Sequence, residues 1–156
     1  MSQSNQKSVE YLIMCIGNRD GGDDGIGPYI ADILENGSSD VVVLNCETVP
    51  ENYTSVVKQY HPKNLIIIDA VDMGLEAGEF RIVPREKIGV MHISTHGIPI
   101  SVLMEYLKQY VEHITLIGIQ PGCMSGGLSD EVQDTSKKVI EIINQKSFDQ
   151  ISLLST

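Results

Sequence analysis

The sequence predicts an α/β fold: a three-layer sandwich whose twisted, mostly parallel central sheet carries helices on both faces. Three observations lead there. Short apolar runs of strand length alternate along the chain with segments of helical spacing, the order that builds a parallel sheet through right-handed crossovers. One run, NLIII, is apolar without alternation, as suits a central strand covered on both faces. The first run ends in glycine and leads through a Gly-rich loop into a helix, a β-then-α unit.

The elements follow in order. YLIMCIGN reads as a buried strand that runs into the loop at residues 17–22. Asp23 and Asp24 stand at the start of the next helix, where the macrodipole favours acids, and Ile26, Ile30, Ile33 and Leu34 recur at helical spacing before Gly37 stops it. DVVVLNC is a second strand, followed by a TVPEN turn and a short helix through YTSVVKQY. NLIIIDA is the third strand, and GEFRIVP an additional one closed by Pro84. ISVLMEYLKQYV has helical spacing at Val102, Leu103, Tyr106 and Leu107. HITLIGIQ is another strand, and SDEVQDTSKKVIEIIN an amphipathic helix that begins near Ser129 and Val132. No repeat, low-complexity stretch or linker interrupts the series, and only the two ends read as loose.

At 156 residues the chain is read as a single domain, 1–156. Its 42% hydrophobic content, clustered in runs, is enough for a sizeable core. A formal net charge of -10 excludes nucleic acid as a partner, because phosphate binding needs a basic face. Cys15, Cys46 and Cys123 are odd in number and widely spaced, which argues against a disulfide framework. The leader MSQSNQKSVE lacks a secretory apolar core, and no run approaches the roughly 20 apolar residues that span a bilayer. The expectation is a cytoplasmic protein with no membrane partner.

Several familiar chemistries fail on their letters. GNRDGGDD places Asp23 and Asp24 where a phosphate loop has lysine and a hydroxyl residue, and two negative charges repel phosphate. His92 and His96 are four apart, but ISTH is β-branched and lacks the glutamate of a helical zinc-protease motif. Cys123 in PGCMSGG reads as a loop or core cysteine in preference to a nucleophile. Ser94, Ser125 and Ser129 show no nucleophile-elbow pattern.

Ligands of open α/β sheets bind outside the carboxyl ends of the strands, and three residues fall there: Asp24 after the first strand and its loop, Asp69 directly after NLIII, and His96 after HIST. Two carboxylates and an imidazole suit a divalent transition ion and leave coordination positions open. Each has a plainer reading, Asp24 as a helix N-terminal charge, Asp69 as a strand-end cap and His96 as a satisfied loop histidine. Asp72 either supports Asp69 or forms a turn. Asp20 and Asp23 read as solvated loop charges, His61 as a turn residue, His92 as structural and His113 as a strand-edge residue.

The same segments carry a family resemblance. IGNRDGGDDGIGP, IIIDAVDMGLEAGEF, STHGIP and then GIQP with GGLSDEV occur in that order. Together they resemble the hydrogenase maturation endopeptidases, which trim the C-terminus of a nickel-iron hydrogenase large-subunit precursor. Carried over, the family's metal-contacting acids fall on Asp24 and Asp69 and its histidine on His96. The resemblance implies that these three are both the metal-reading and the catalytic residues. It also implies a client whose own nickel is the recognition mark, with other divalent transition ions able to occupy the site. Asp20 and Gly21 depart from the bulkier apolar residues common in that loop. A competing expectation is a chaperone or binding module that inspects the same client's metal without cutting.

Overall fold

A computed structural model of the chain describes residues 8–34, 40–89 and 97–155. The elements run β1 (Tyr11–Ile16), a 3-10 turn (Gly22–Gly25), α1 (Ile26–Leu34), β2 (Val41–Glu47), a second 3-10 turn (Pro50–Tyr53) and α2 (Thr54–Tyr60). They continue with β3 (Asn64–Ala70), β4 (Phe80–Val83), α3 (Arg85–Ile88), α4 (Ile100–Leu107), β5 (His113–Ile119) and α5 (Asp130–Gln145). The apolar runs and helical spacings thus become the strands and helices expected of them.

The sheet has five strands in the order β2-β1-β3-β5-β4. β1 is parallel to β2 and β3, and β3 to β5, while β4 runs antiparallel to β5. That reversal follows from the short 71–79 connection, which holds no crossover helix and so cannot return the chain to a parallel start. Side chains alternate across the sheet and make two cores. Leu12, Met14 and Ile16 of β1 pack with Val57 of α2 and Leu103 and Leu107 of α4. On the other face Ile13 and Cys15 pack with Ile26 and Ile30 of α1 and Val139 and Ile143 of α5. This is the three-layer sandwich. Among the described residues no helix is long and apolar enough to cross a membrane.

The C-terminal end is not loose. Ile82 donates to the Ser152 carbonyl and Leu154 to that of Ile82, at 2.9 Å each, while Ile151 and Leu154 are buried in the two cores. The tail covers the free edge of β4, which would otherwise expose unpaired backbone groups. Its few apolar letters, QISLLST, lack the periodicity that would have announced this.

Two features of the frame position what lies above it. β2 and β3 flank β1 on opposite sides, so the chain reverses its direction of travel there, and the crevice sits over the carboxyl ends of β1 and β3. Gly27 lets α1 lie directly on β1: a Cβ there would fall 2.2 Å from the Ile16 carbonyl oxygen. The start of α1 is thereby held against that crevice.

Candidate active site

Asp24 reaches the crevice from the 3-10 turn after β1, and Asp69 from the penultimate position of β3. The loop between β1 and the turn curls back around Asp24. Asn18 N–H donates to the Asp24 carbonyl at 3.1 Å and to Oδ2 of its side chain at 3.2 Å, and Asp24 N–H donates to the Gly21 carbonyl at 3.2 Å. Arg19 braces this loop from outside by a two-pronged bond to Asp32 of α1, 2.7 and 2.9 Å, and one to Glu47 of β2, 3.1 Å. Asp24 is 4% exposed and Asp69 fully buried.

Asp69 is partly satisfied. Its Oδ1 accepts from Ala70 N–H at 2.8 Å, while Oδ2 is buried and has no hydrogen-bond partner among the described residues. Burial, and after it the negative charge of Asp24, pushes the Asp69 carboxyl well above the usual carboxylate range, against the Ala70 N–H that favours the charged form. Two acids in one dry crevice cannot both ionise cheaply, so the arrangement favours either a shared proton or a cation between them.

His96, with His92 and Ser94, lies outside the described residues, so the structure brings together two of the three residues expected from the sequence. Among the described residues no group of three His, Cys, Asp or Glu side chains is arranged to hold a metal. The segment that resumes at Gly97 does meet this edge. A Cβ on Gly97 would fall 3.0 Å from Oε2 of Glu51, which stands in the 3-10 turn after β2.

Asp23 overturns its sequence reading. It is fully buried, and its carboxylate gathers four donors from a segment about a hundred residues away. Oδ2 accepts from Gly122 N–H at 2.8 Å, Cys123 N–H at 2.9 Å and the Ser129 hydroxyl at 2.9 Å, and Oδ1 from Ser129 N–H at 2.7 Å. Asp23 N–H in turn donates to the Cys123 carbonyl at 2.7 Å. Gly22 at φ +63° is pressed so close to this loop that a Cβ would meet Ser125 N at 2.5 Å. The signal in the sequence was indirect: PGCMSGGLS offers backbone N–H groups and no competing charge, the setting in which an acid is captured.

Burial works to raise the Asp23 pKa, but the N–H groups of Cys123, Ser129 and Gly122 and the Ser129 hydroxyl together hold it below 3.8. A depressed acid contributes stability above its unfolded-chain value and loses it as pH falls through the folded one. Asp23→Asn is therefore expected to melt below the wild type near neutral pH, and the gap is expected to close below 3.8. A gap of constant size across a pH series of thermal melts would contradict this.

The remaining polar residues sort simply. Asp72 is a turn residue: its exposed Oδ1 accepts from Gly74 N–H at 3.1 Å and from Nε2 of Gln120 at 3.2 Å. Gln120, which had no role in the sequence reading, pins the same loop by accepting from Met73 N–H at 2.6 Å and Leu75 N–H at 3.2 Å. Asp20 is exposed, and His61 is the left-handed cap of α2 at φ +46°. His113 starts β5 in solvent beside Glu112. Cys123 is exposed in its loop and Cys15 and Cys46 are buried, all three as free thiols. A groove of about 440 Å³ between α3, α4 and the first residues of β5 lies at the opposite end of β5 from the Asp69 crevice. Its Lys108 meets Glu105 in an exposed ion pair and its His113 lies in solvent 3.7 Å from Glu112, so the desolvated acid pair is the better candidate for chemistry.

The sequence profile of the hydrogenase maturation proteases matches residues 29–146. The chain belongs to that family. Hydrogenase 3 maturation protease of Escherichia coli K12 is 32% identical over 137 residues, covering 86% of each chain. A crystal structure of a hydrogenase 3 maturation protease superposes with a TM-score of 0.87 at 29% identity over 95% of this chain and 98% of the other. A nickel-iron hydrogenase maturation protease from Thermococcus kodakarensis gives 0.78 at 32% identity over 88% and 91%. The α/β sandwich is thus the family's own, and this hydrogenase maturation protease carries the Asp24 and Asp69 pair at its carboxyl edge.

Proposed function

We propose that the protein is a cytoplasmic endopeptidase that removes the C-terminal extension of a nickel-iron hydrogenase large-subunit precursor once nickel has been inserted. Asp24, Asp69 and His96 are the residues that read the client's metal and are the catalytic set. The observation that carries this reading is the Asp69 carboxylate: fully buried, its Oδ2 without a hydrogen-bond partner among the described residues, and repelled by a second acid. A desolvated oxygen of that kind stabilises the fold poorly and a cation well.

Nickel is part of the substrate here, and when bound it supplies positive charge beside the peptide to be cut. Asp24 and Asp69 hold the client by that charge and fix the scissile bond over the crevice, which converts encounter into alignment. In this reading a carboxylate of the pair takes a proton from an attacking water. A site that is two buried acids without a cation and a neutralised cluster with one favours the loaded client over the empty one.

Intact-mass analysis of a purified precursor incubated with the protein tests this directly. Loss of a C-terminal peptide from nickel-loaded precursor alone is expected. A stable complex with uncut, verified-loaded precursor would instead identify a metal-inspecting binder.

A further inference from the structure

We propose that Asp23 is a positioning residue of this protease, one that sets Asp24 by stapling the 3-10 turn that carries it to the 122–129 loop. The inference rests on the proposed role of Asp24 and extends it to a neighbour whose carboxylate is taken up by the 122–129 loop. Three observations support it. All four donors to the Asp23 carboxylate come from the far loop and none from its own turn. Asp23 N–H is tied to the same loop, so side chain and main chain are anchored together one residue before Asp24. The contact is also tight enough to exclude a Cβ at Gly22. A turn fastened on both counts cannot rotate Asp24 away from Asp69, and groups that orient a ligating side chain typically matter by about 10- to 100-fold.

Tests of the staple compare Asp23→Asn with Leu154→Ala, which loosens the buried tail along the outer edge of β4, a tail with no hydrogen bond to the 122–129 loop among the described residues. Asp23→Asn keeps the shape of the side chain and replaces one acceptor oxygen with an amide that faces the donors. Three quantities are read for each variant: kcat and KM for precursor processing, and the ratio of its affinities for nickel-loaded and nickel-free precursor. Asp23→Asn is expected to lower kcat by about 10- to 100-fold and to shrink the affinity ratio. Leu154→Ala is expected to leave both unchanged below its melting temperature. Should Asp23→Asn fail to fold, Ser129→Ala removes one donor and is expected to lower kcat and the ratio in the same direction, with Ser129→Thr restoring both. Wild-type kcat and ratio in a folded Asp23→Asn protein would overturn the staple while leaving the proposed protease intact. Absence of processing by the wild-type protein would count against the protease reading itself.

Discussion

Asp69→Asn is expected to abolish precursor processing and, near neutral pH, to raise the melting temperature. Loss of one member of a cooperating catalytic set lowers turnover by roughly 10³-fold or more. The gain in stability has a separate cause. Asp69 is buried beside Asp24, and its carboxyl is pushed up by burial first and by the Asp24 charge second. Asparagine keeps an oxygen for the Ala70 N–H and removes the ionisation. A raised acid costs nothing while folded and unfolded chains are both protonated. The cost appears as pH climbs past the unfolded value near 3.8 and is complete above the folded value. The variant should therefore melt with the wild type in strong acid and above it at neutral pH. In a domain of this size about 1 kcal/mol corresponds to roughly 2–4 °C. Retained cleavage would remove Asp69 from the catalytic set, and a lower melting temperature at neutral pH would show that its charge is satisfied in the fold.

Gly17→Ala is expected to damage both stability and activity, because it strikes where the frame and the crevice meet. A Cβ at Gly17 would fall 2.0 Å from the Asp24 carbonyl oxygen and 3.0 Å from Cδ of Pro28. Neither neighbour is a flexible side chain, so the 3-10 turn must lift away from β1. Overpacking of this kind costs about 1–3 kcal/mol or more. Misplacing a reacting group by about 1 Å costs on the order of 10²-fold in rate. Thermal melts and precursor cleavage should both report the change, and a variant with wild-type kcat would show that the turn has slack.

Much of this architecture was legible because the strands are buried runs. NLIII has no polar residue to place it elsewhere, and β3 lies at the centre of the sheet with β1 and β5 on either side. Asp69 was legible for the same reason, as the first polar residue after such a run, whereas Asp24 is the third acid beyond β1, after Asp20 and Asp23, and was picked out by its place at the helix start after the loop. The direction of β4 was not, since FRIV reads alike either way and only the missing crossover decides it. Asp23 escaped because its partners stand 99 to 106 residues away and its letter equals that of Asp20, which is exposed. Local pattern carries no information about contacts of that span.

That span also bears on synthesis. A chain growing on the ribosome completes β1, the 3-10 turn and β3 well before residues 122–129 exist, so Asp23 lacks its counterpart until most of the polypeptide has been made. Under the proposed staple the acids of the crevice are made before the contact that sets Asp24. Asp24 is then set only when the segment after β5 docks, and a polypeptide that stops short of residue 129 is expected to carry both acids without processing precursor.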